Sequence, residues 1–327
     1  MKLPFELKER KVLVKRDSES SSEYGIRPFE RGIPELLDFG IVNIDKPAGP
    51  SSHQVSAYVR QVLGLKKSGH SGTLDPMVTG VLPVALGRGT RIAAALLPAG
   101  KEYVCVMHLH QDVERERVER VLAGYVGSLK QLPPVRSAVK RQWRMRQIYY
   151  VKVLDMQERD VLFRVGCQGG TYIRKLVHQA GEDLGVGAHM IELRRTKAGP
   201  FDESSLASLY DLKDALFVFE KEGKEDALRR IVQPVEVAVG HLGKVWVLDS
   251  GVDSVCHGAS LKVPGIAKVE SGIAKDDLVA LLTLKGELIA LGSSRMSSEE
   301  MVGEEKGVAV SLNQVLMKRG TYPKVGK

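Results

Sequence analysis

The stretch that most constrains the fold is residues 70–83, which read HSGTLDPMVTGVLP. Gly72, Asp75 and Pro76 favour a turn, because glycine allows unusual backbone angles, aspartate hydrogen-bonds its own backbone and proline fixes φ. An apolar run from Val81 to Leu86 follows almost at once and predicts a buried strand. The stretch therefore predicts a tight turn leading into the core, with the carboxylate of Asp75 at its tip. Asp75 is then either a turn residue alone or a chemically active group.

Strand-like and helix-like blocks alternate on both sides of this turn. GIVNIDKP predicts a strand, and SSHQVSAYVRQVLG predicts a helix that Ser52 can cap. GTYIRKLVHQAGEDLG predicts a helix capped by Thr171, and MIELRRTKAG predicts a further strand. Mixed strands and helices in this order indicate an α+β or α/β unit of catalytic size, and the mixed-sheet α+β class is the prediction.

The composition of the chain changes near residues 235–242. Beyond that point KVWVLD, HGASLKVPGI, DDLVALLTLKGELIALG and GVAVSL are short strand-like runs separated by turn residues, which predict a small β-barrel-like domain. The first 38 residues contain DSESSSE and GIRPFERGIP and predict an extended arm with a solvated middle. We therefore predict an N-terminal extension over 1–38, a catalytic domain over 39–238 and a β-rich domain over 239–327.

Charge and cysteine usage exclude several classes of function. The chain has 48 Lys and Arg against 40 Asp and Glu, a net charge of +8, which favours polyanionic partners. Cys105, Cys167 and Cys256 are scattered, so we expect no disulfide framework, and no Cys or His pair has metal-ligand spacing. No apolar run approaches the roughly 18 residues that span a bilayer. A cytoplasmic protein without a metal site or membrane contact is predicted.

Arg174 is the second candidate for chemistry. If Thr171 caps its helix, Arg174 falls in the first turn, where the helix dipole disfavours a cation by ~0.3–1 kcal/mol. A solvated arginine tolerates that cost, whereas an arginine that points at a phosphate or a carboxylate recovers it. An aspartate beside an arginine stays ionised more readily. The spacing alone leaves open whether Asp75 and Arg174 meet.

Residues 136–152 form a basic stretch without an acidic residue, RSAVKRQWRMRQIYYVK. Its cations are Arg136, Lys140, Arg141, Arg144, Arg146 and Lys152, and Trp143, Tyr149 and Tyr150 lie among them. Because basic groups bind phosphates and aromatic rings stack on bases, the stretch favours an RNA surface over a solvated polar hairpin. The sequence contains no phosphate-binding loop, dinucleotide fingerprint, nucleophile elbow or zinc-protease motif.

Five blocks between residues 39 and 200 carry a family resemblance. NIDKPAGPSSH, GHSGTLDPMVTGVLPVALG, KEYV, GTYIRKLVH and LRRT, in this order, resemble the TruB-type pseudouridine synthases. HGASLKVPGIAKV and DDLVALLTLKGELIALG resemble the PUA RNA-binding module. An arm, a catalytic unit and a PUA module together are similar to the archaeal members of the dyskerin branch, the catalytic subunits of box H/ACA guide-RNA particles. The resemblance implies a mixed-sheet synthase domain followed by a PUA domain.

The resemblance also implies roles for individual residues. Asp75 matches the catalytic aspartate, Arg174 the arginine paired with it, and Tyr103 the tyrosine that stacks on the target base. Met77 departs from the pattern, since relatives often carry lysine there, so no phosphate contact is assigned to it. The pocket residues implied are Lys46, Tyr172 and Leu193, and the RNA-binding candidates are His70, Arg136, Lys140, Arg141, Arg144, Arg146, His257 and Lys262.

The implied reaction converts uridine to pseudouridine. The N-glycosidic bond breaks, the uracil rotates and rejoins through C5, and no oxidation occurs, so no cofactor is expected. The carboxylate either attacks C1′ or removes a proton from C2′, and both routes remain open. The uridine must also be flipped out of the RNA.

The implied partners are a box H/ACA guide RNA, an rRNA or tRNA substrate, and the small proteins of the H/ACA particle. Two alternatives remain. One is a guide-independent synthase acting on the TΨC arm of tRNA. The other is a scaffold that binds guide RNA without catalysing a reaction.

Overall fold

The computed structural model describes residues 1–134 and 140–324, and its strands form two sheets. The strands are β1 (Val12–Val14), β2 (Gly40–Lys46), β3 (Ser68–His70), β4 (Thr79–Leu86), β5 (Lys101–Leu109), β6 (Gly127–Gln131), β7 (Arg144–Gln157), β8 (Asp160–Cys167), β9 (Ala188–Ala198), β10 (Phe201–Asp202), β11 (Val232–Pro234), β12 (Gly243–Val247), β13 (Leu261–Lys262), β14 (Ile266–Glu270), β15 (Leu278–Thr283), β16 (Leu288–Ser294) and β17 (Val308–Val315). The helices are α1 (Ile33–Asp38), α2 (Ser52–Val62), α3 (Ala93–Leu96), α4 (Arg115–Ala123), α5 (Ile173–Asp183), α6 (Leu209–Glu222), α7 (Asp226–Ile231), α8 (Asp249–Cys256) and α9 (Ser298–Gly303).

The larger sheet has ten strands in the order β11-β2-β4-β9-β5-β8-β7-β6, with β3 paired to β4 and β10 to β9. The pairing of β4 with β9 is parallel, and the other pairs along this order are antiparallel. Helices α4 and α5 pack on β5, β7 and β8, while α1, α2, α6 and α7 pack on β2 and β4. This mixed sheet with helices confirms the predicted α+β class.

The helix α2 begins one residue earlier than the sequence predicted. Ser51, not Ser52, is the N-cap: its hydroxyl accepts from the Gln54 backbone N–H, and the Gln54 side chain accepts from the Ser51 N–H. This reciprocal arrangement is a capping box, which satisfies two otherwise unpaired donors. The prediction that Ser52 caps the helix was therefore wrong, and the buried Ser52 hydroxyl is free for another partner.

The helix α5 begins at Ile173, and Tyr172 is its N-cap residue without a side-chain cap. The prediction that Thr171 caps this helix was wrong, because the Thr171 hydroxyl donates instead to the Gln168 carbonyl at 2.8 Å. Arg174 nevertheless lies in the first turn, as expected. No acidic residue occupies that turn.

The smaller sheet has seven strands in the order β1-β14-β12-β15-β16-β17-β13. Its first strand comes from the N-terminal arm, where Val12 to Val14 pair with Lys268 to Glu270, so the arm lies against this sheet. The arm also reaches the larger sheet, because Glu6 forms an ion pair with Lys197 at 2.7 Å. A shared apolar core that includes Phe39 joins the two sheets. Within the described residues, none of the helices is long and apolar enough to cross a membrane.

Candidate active site

The loop between β3 and β4, residues 71–78, carries Asp75 at its tip. Leu74 and Val78 are buried on either side of Asp75, and the Val78 N–H donates to the Asp75 carbonyl at 3.0 Å. The Asp75 side chain between them keeps 54% of its exposure. Two buried apolar side chains thus fix the ends of a short turn, and the Asp75 carboxylate points outward from this turn.

Three buried side chains hold the backbone of this loop from below. The Lys46 ammonium donates to the carbonyls of Pro76 and Val78 at 2.8 and 2.9 Å. The Ser52 hydroxyl donates to the Leu74 carbonyl at 3.1 Å and accepts from the Leu74 N–H at 2.8 Å. These bonds fix the residues on both sides of Asp75. Lys46 stays a predicted pocket residue; the structure places it beneath the loop, where burial lowers its pKa.

The third buried side chain is Arg195 on β9. Its guanidinium donates to the Val81 carbonyl at 2.7 Å and to the Gly72 carbonyl at 3.2 and 3.3 Å, so it joins the start of the loop to the following strand. Only 1% of Arg195 is exposed, and burial lowers its pKa. Ser52, Lys46 and Arg195 are called here the loop anchors. Sequence reasoning missed the anchoring roles of Ser52 and Arg195.

A signal for Arg195 was available in the sequence. Residues that alternate along a strand share a face, so Leu193 and Arg195 lie on one face of β9. A cationic side chain on the same face of a buried strand as an apolar residue is itself buried. It therefore needs a hydrogen-bonding partner inside the protein. For Ser52 no comparable signal exists, because its partner, Leu74, lies 22 residues away in a loop.

Arg174 reaches Asp75 across 99 residues of sequence and forms a charged hydrogen bond with its carboxylate. The two side chains are 55% and 54% exposed, respectively. An ion pair this open to water contributes only ~0–1 kcal/mol to stability. The pair therefore acts mainly to orient the carboxylate, and the question of whether Asp75 and Arg174 meet is answered.

Tyr103 and Leu193 lie on neighbouring strands close to this pair. Tyr103 on β5 stands opposite Arg195, and Cys105 on the same strand stands opposite Leu193. Tyr103 is only 8% exposed, and burial raises the pKa of its phenol, so the ring stays neutral at physiological pH. A neutral aromatic ring suits stacking on a base.

Tyr172 is half-buried at the start of α5, two residues before Arg174. Its backbone N–H donates to the Gln131 side-chain oxygen at 3.0 Å, and its carbonyl accepts from the Gln131 amide at 3.1 Å. A side chain from β6 thus fixes the entrance of the helix that supplies Arg174. Tyr172 stays a predicted pocket residue.

Most of the predicted RNA-binding cations lie at the start of β7 or just before it. Lys140 and Arg141 are exposed, Arg144 and Arg146 are half-buried at the strand, and Arg136 lies outside the described residues. Nearby, the Lys130 ammonium sits 5.1 Å from the centre of the Trp143 ring, which is 61% exposed. The described part of the stretch presents charge and an open aromatic face together.

His70 on β3 packs edge-on against His53, with ring centres 4.7 Å apart. Burial, followed by the neighbouring His53, lowers the pKa of His70 to about 4, so the ring is neutral at physiological pH. Both ring nitrogens are buried, so His70 can stack on a base through its ring but does not attract phosphate by charge. Met77 is 74% exposed beside Asp75.

The two remaining RNA-binding candidates belong to the smaller sheet and its helices. His257 follows the end of α8, and one of its ring nitrogens, Nδ1, lies 2.8 Å from the Asp253 carbonyl. Lys262 is exposed on β13. The structure thus keeps these two residues in a separate unit from Asp75. Among the described residues, no group of three or more His, Cys, Asp or Glu side chains is placed to hold a metal ion.

Four family profiles match the chain in consecutive segments. They are the DKCLD domain over residues 1–56, the TruB family pseudouridylate synthase N-terminal domain over 60–173, the tRNA pseudouridylate synthase B C-terminal domain over 174–240 and the PUA domain over 243–316. Curated relatives match over nearly the whole length. A probable tRNA pseudouridine synthase B of Methanopyrus kandleri is 52% identical over 99% of this chain and 95% of its own. Its counterpart in Pyrococcus furiosus is 52% identical over 99% and 95%, respectively.

Solved structures match over the same extent. A crystal structure of a Cbf5-Nop10-Gar1 complex contains a chain with a TM-score of 0.93 and 51% identity, covering 98% of both chains. A structure of an H/ACA RNP bound to a substrate RNA containing 2′-deoxyuridine contains one with a TM-score of 0.92 and 49% identity, covering 99% of this chain and 100% of the other. The likeness thus includes both sheets and the N-terminal arm.

Proposed function

This chain belongs to the TruB family of pseudouridylate synthases, in the archaeal Cbf5 type that carries a PUA domain, and we propose that a guide RNA selects the uridine it isomerises. The observation that carries the proposal is the full-length likeness to the Cbf5 chain of an H/ACA particle, including the arm and the PUA domain. The proposed substrate is rRNA, and the proposed partners are a box H/ACA guide RNA and proteins like Nop10 and Gar1.

Asp75 is the proposed reagent at the ribose. Arg174 orients its carboxylate and favours the ionised form, which both possible steps require: attack at C1′ or proton removal at C2′. The loop anchors hold the carboxylate in one position, so little reorganisation is needed when a flipped uridine arrives. Tyr103 stacks on the uracil as it detaches and rotates, Tyr172 and Leu193 complete the pocket, and Lys46 supports the pocket from beneath the loop.

The remaining predicted residues contact RNA outside the pocket. We assign the substrate strand to the basic stretch at Arg136, Lys140, Arg141, Arg144 and Arg146 and to His70. His257 and Lys262 are assigned to the guide. In this division residues 39–238 perform the chemistry, 239–327 hold the guide, and 1–38 brace the second unit through β1.

A guide-independent activity on the TΨC arm of tRNA is the second candidate. The observation that favours it is the name of the curated relatives, which are described as probable tRNA pseudouridine synthase B. Such an activity requires the same Asp75 pocket but no guide.

The test measures pseudouridine on a short target RNA and on unmodified tRNA, each with and without a guide and partner proteins. Asp75→Asn keeps the shape of the side chain and removes its charge, so product formation should fall by at least about 10⁴-fold while guide affinity is unchanged. Asp214→Asn changes an exposed carboxyl group on α6 and should behave as wild type.

Product on the target only with guide supports the guided enzyme. Product on tRNA without guide establishes the second candidate. Wild-type product from Asp75→Asn rules out Asp75 as the reagent, and tight guide binding without any product from the wild-type particle would favour the scaffold.

A further inference from the structure

A cleft of about 430 Å³ lies between α5 and β9 beside the reactive pair. Arg174, Lys175 and His178 line it from the helix, and His189 and Met190 line it from the strand. Its volume falls within the range of ligand sites in proteins. Because Arg174 also contacts Asp75, a ligand in this cleft is connected to the reaction centre through the same helix turn.

The helix places its polar residues in the cleft because its apolar stripe faces the core. Ile173, Leu176, Val177 and Ala180 are buried, which turns residues 174, 175 and 178 outward together. Arg174 is already engaged by Asp75, so Lys175 and His178 are the groups free to bind a ligand. The nearest carboxylate to His178 is that of Glu182, at 3.8 Å and one turn further along the helix.

The cleft carries groups suited to an anion. Two cations and two imidazoles line it, and none of its described lining residues is acidic. The His189 ring is held by His110, with 3.0 Å between His189 Nδ1 and His110 Nε2, so one face of the cleft is pre-oriented.

We propose that this cleft binds the phosphodiester backbone of the single-stranded RNA next to the target uridine, with Lys175, His178 and His189 as the contacting residues. The inference deepens the proposed function and rests on it. A strand whose uridine is turned into the Asp75 pocket must leave the pocket over a neighbouring surface, and the cleft begins at Arg174. Four of the seven lining residues are Arg, Lys or His and none is acidic, which favours the phosphate backbone of RNA as the ligand.

The test combines a triple variant with a backbone scan. Lys175→Ala, His178→Ala and His189→Ala are introduced together and compared with wild type in the assembled particle. The target strand is synthesised with one neutral methylphosphonate at a time, over the three phosphates on each side of the target uridine. A matched control removes two exposed helical cations elsewhere, Arg120→Ala and Lys213→Ala.

At one phosphate position, we expect the neutral linkage to weaken strand binding by about 5–10-fold in wild type and to have little effect in the triple variant. The triple variant should bind the unmodified strand about 5–10-fold more weakly, and its affinity should depend less steeply on salt. Its single-turnover rate at saturating RNA should stay within about twofold of wild type, because these three side chains do not hold Asp75.

The proposal would be overturned if the neutral linkage and the triple variant weakened strand binding additively at every phosphate. It would also be overturned if strand binding by the triple variant depended on salt as steeply as binding by the wild type. Loss of affinity for a small particle protein in place of RNA would assign the cleft to that protein instead. The scan is run on whichever RNA the wild-type enzyme isomerises, with or without a guide. Failure of guided activity is therefore seen in the wild-type controls, separately from failure of the cleft.

Discussion

The Asp75 loop and the turn between β15 and β16 both bury charged groups, but they satisfy them in opposite ways. In the described residues, all the hydrogen bonds from Lys46 and Arg195 go to backbone carbonyls. In the smaller sheet, the Glu287 carboxylate is surrounded by neutral donors: the hydroxyls of Thr283 and Tyr322 at 3.0 and 2.7 Å, and the Ile26 N–H at 3.1 Å.

The difference separates a functional arrangement from a structural one. A buried cation with only carbonyl partners is costly, which is why burial lowers the pKa of Lys46 and of Arg195. Both lie under the loop that carries Asp75 and hold its backbone. Glu287 instead connects the N-terminal arm, through Ile26, to the sheet and to the C-terminal Tyr322. The first region uses buried charge to position the loop that carries Asp75, and the second uses it to hold chain segments together.

The strongest test of this contrast is Arg195→Met, which removes the cation and keeps a long side chain. Freed from its bonds at Gly72 and Val81, the loop should shift, and a displacement of about 1 Å can cost roughly 100-fold in rate. We expect single-turnover isomerisation to fall by about 100-fold with RNA affinity unchanged. Thermal stability should change little, because relief of the buried charge offsets the lost hydrogen bonds.

Three companion variants sharpen this result. Ser52→Ala removes the uncharged loop anchor that bonds to Leu74. The reaction should slow by about 10-fold, which corresponds to roughly the free energy of one hydrogen bond. Arg195→Lys keeps the charge and should recover part of the rate. Arg194→Met changes the adjacent arginine, which pairs with Asp45 and Glu203 outside the loop, and should leave the rate near wild type. Equal rates for the variants Arg194→Met and Arg195→Met would refute the anchoring role.

Glu287→Leu should have the converse effect in the second region. It leaves two hydroxyls and one N–H without a partner in a buried site, so we expect the free energy of unfolding to fall by about 2 kcal/mol. Urea unfolding measures this loss, and the isomerisation rate at saturating RNA should be unchanged. Glu305→Leu, at an exposed position in the same unit, should alter stability by less than about 0.5 kcal/mol. A slowed reaction with intact stability would contradict the structural role of Glu287.

The smallest effect is expected at His241, which lies between the two sheets. Its Nε2 is 3.0 Å from the Ala95 carbonyl, and burial lowers the pKa of the ring to about 4. In the unfolded chain the pKa of the His241 ring is near 6.5. As the pH falls, the ring is therefore protonated in the unfolded chain before it is protonated in the folded protein. The neutral ring therefore makes its full contribution to the free energy of unfolding above about pH 6.5, and this contribution is lost as the pH falls towards 4.

His241→Gln keeps a donor but does not titrate. Relative to this variant, the wild type should lose about 1 kcal/mol of stability between pH 7 and about pH 5.5, measured by urea unfolding across that range. Both proteins contain the other histidines, so the contributions of those residues cancel when the two stability curves are subtracted. Parallel curves for the two proteins would show that the His241 ring is not kept neutral by its burial.

The sequence determined the local parts of this protein. The turn residues around Asp75 and the apolar run behind them predicted a carboxylate placed before a buried strand, and the order of strand-like and helix-like segments predicted the fold class. These features depend on backbone preferences and on the period of apolar residues, which neighbouring residues set among themselves. Even here the exact start of α2 was missed, because Ser51 and Ser52 are chemically equal as caps and only the Gln54 side chain decided between them.

The tertiary structure alone decided how the site is assembled. The parallel pairing of β4 with β9 sets Gly80 opposite Arg195, and that pairing carries the arginine under the Asp75 loop. A Cβ at Gly80 would lie 2.2 Å from the Arg195 carbonyl oxygen, so this approach requires glycine. Likewise, Arg174 meets Asp75 only because α5 packs beside the loop. Contacts between residues about 100 positions apart depend on how strands pair and helices pack, and the local pattern of a sequence does not encode them.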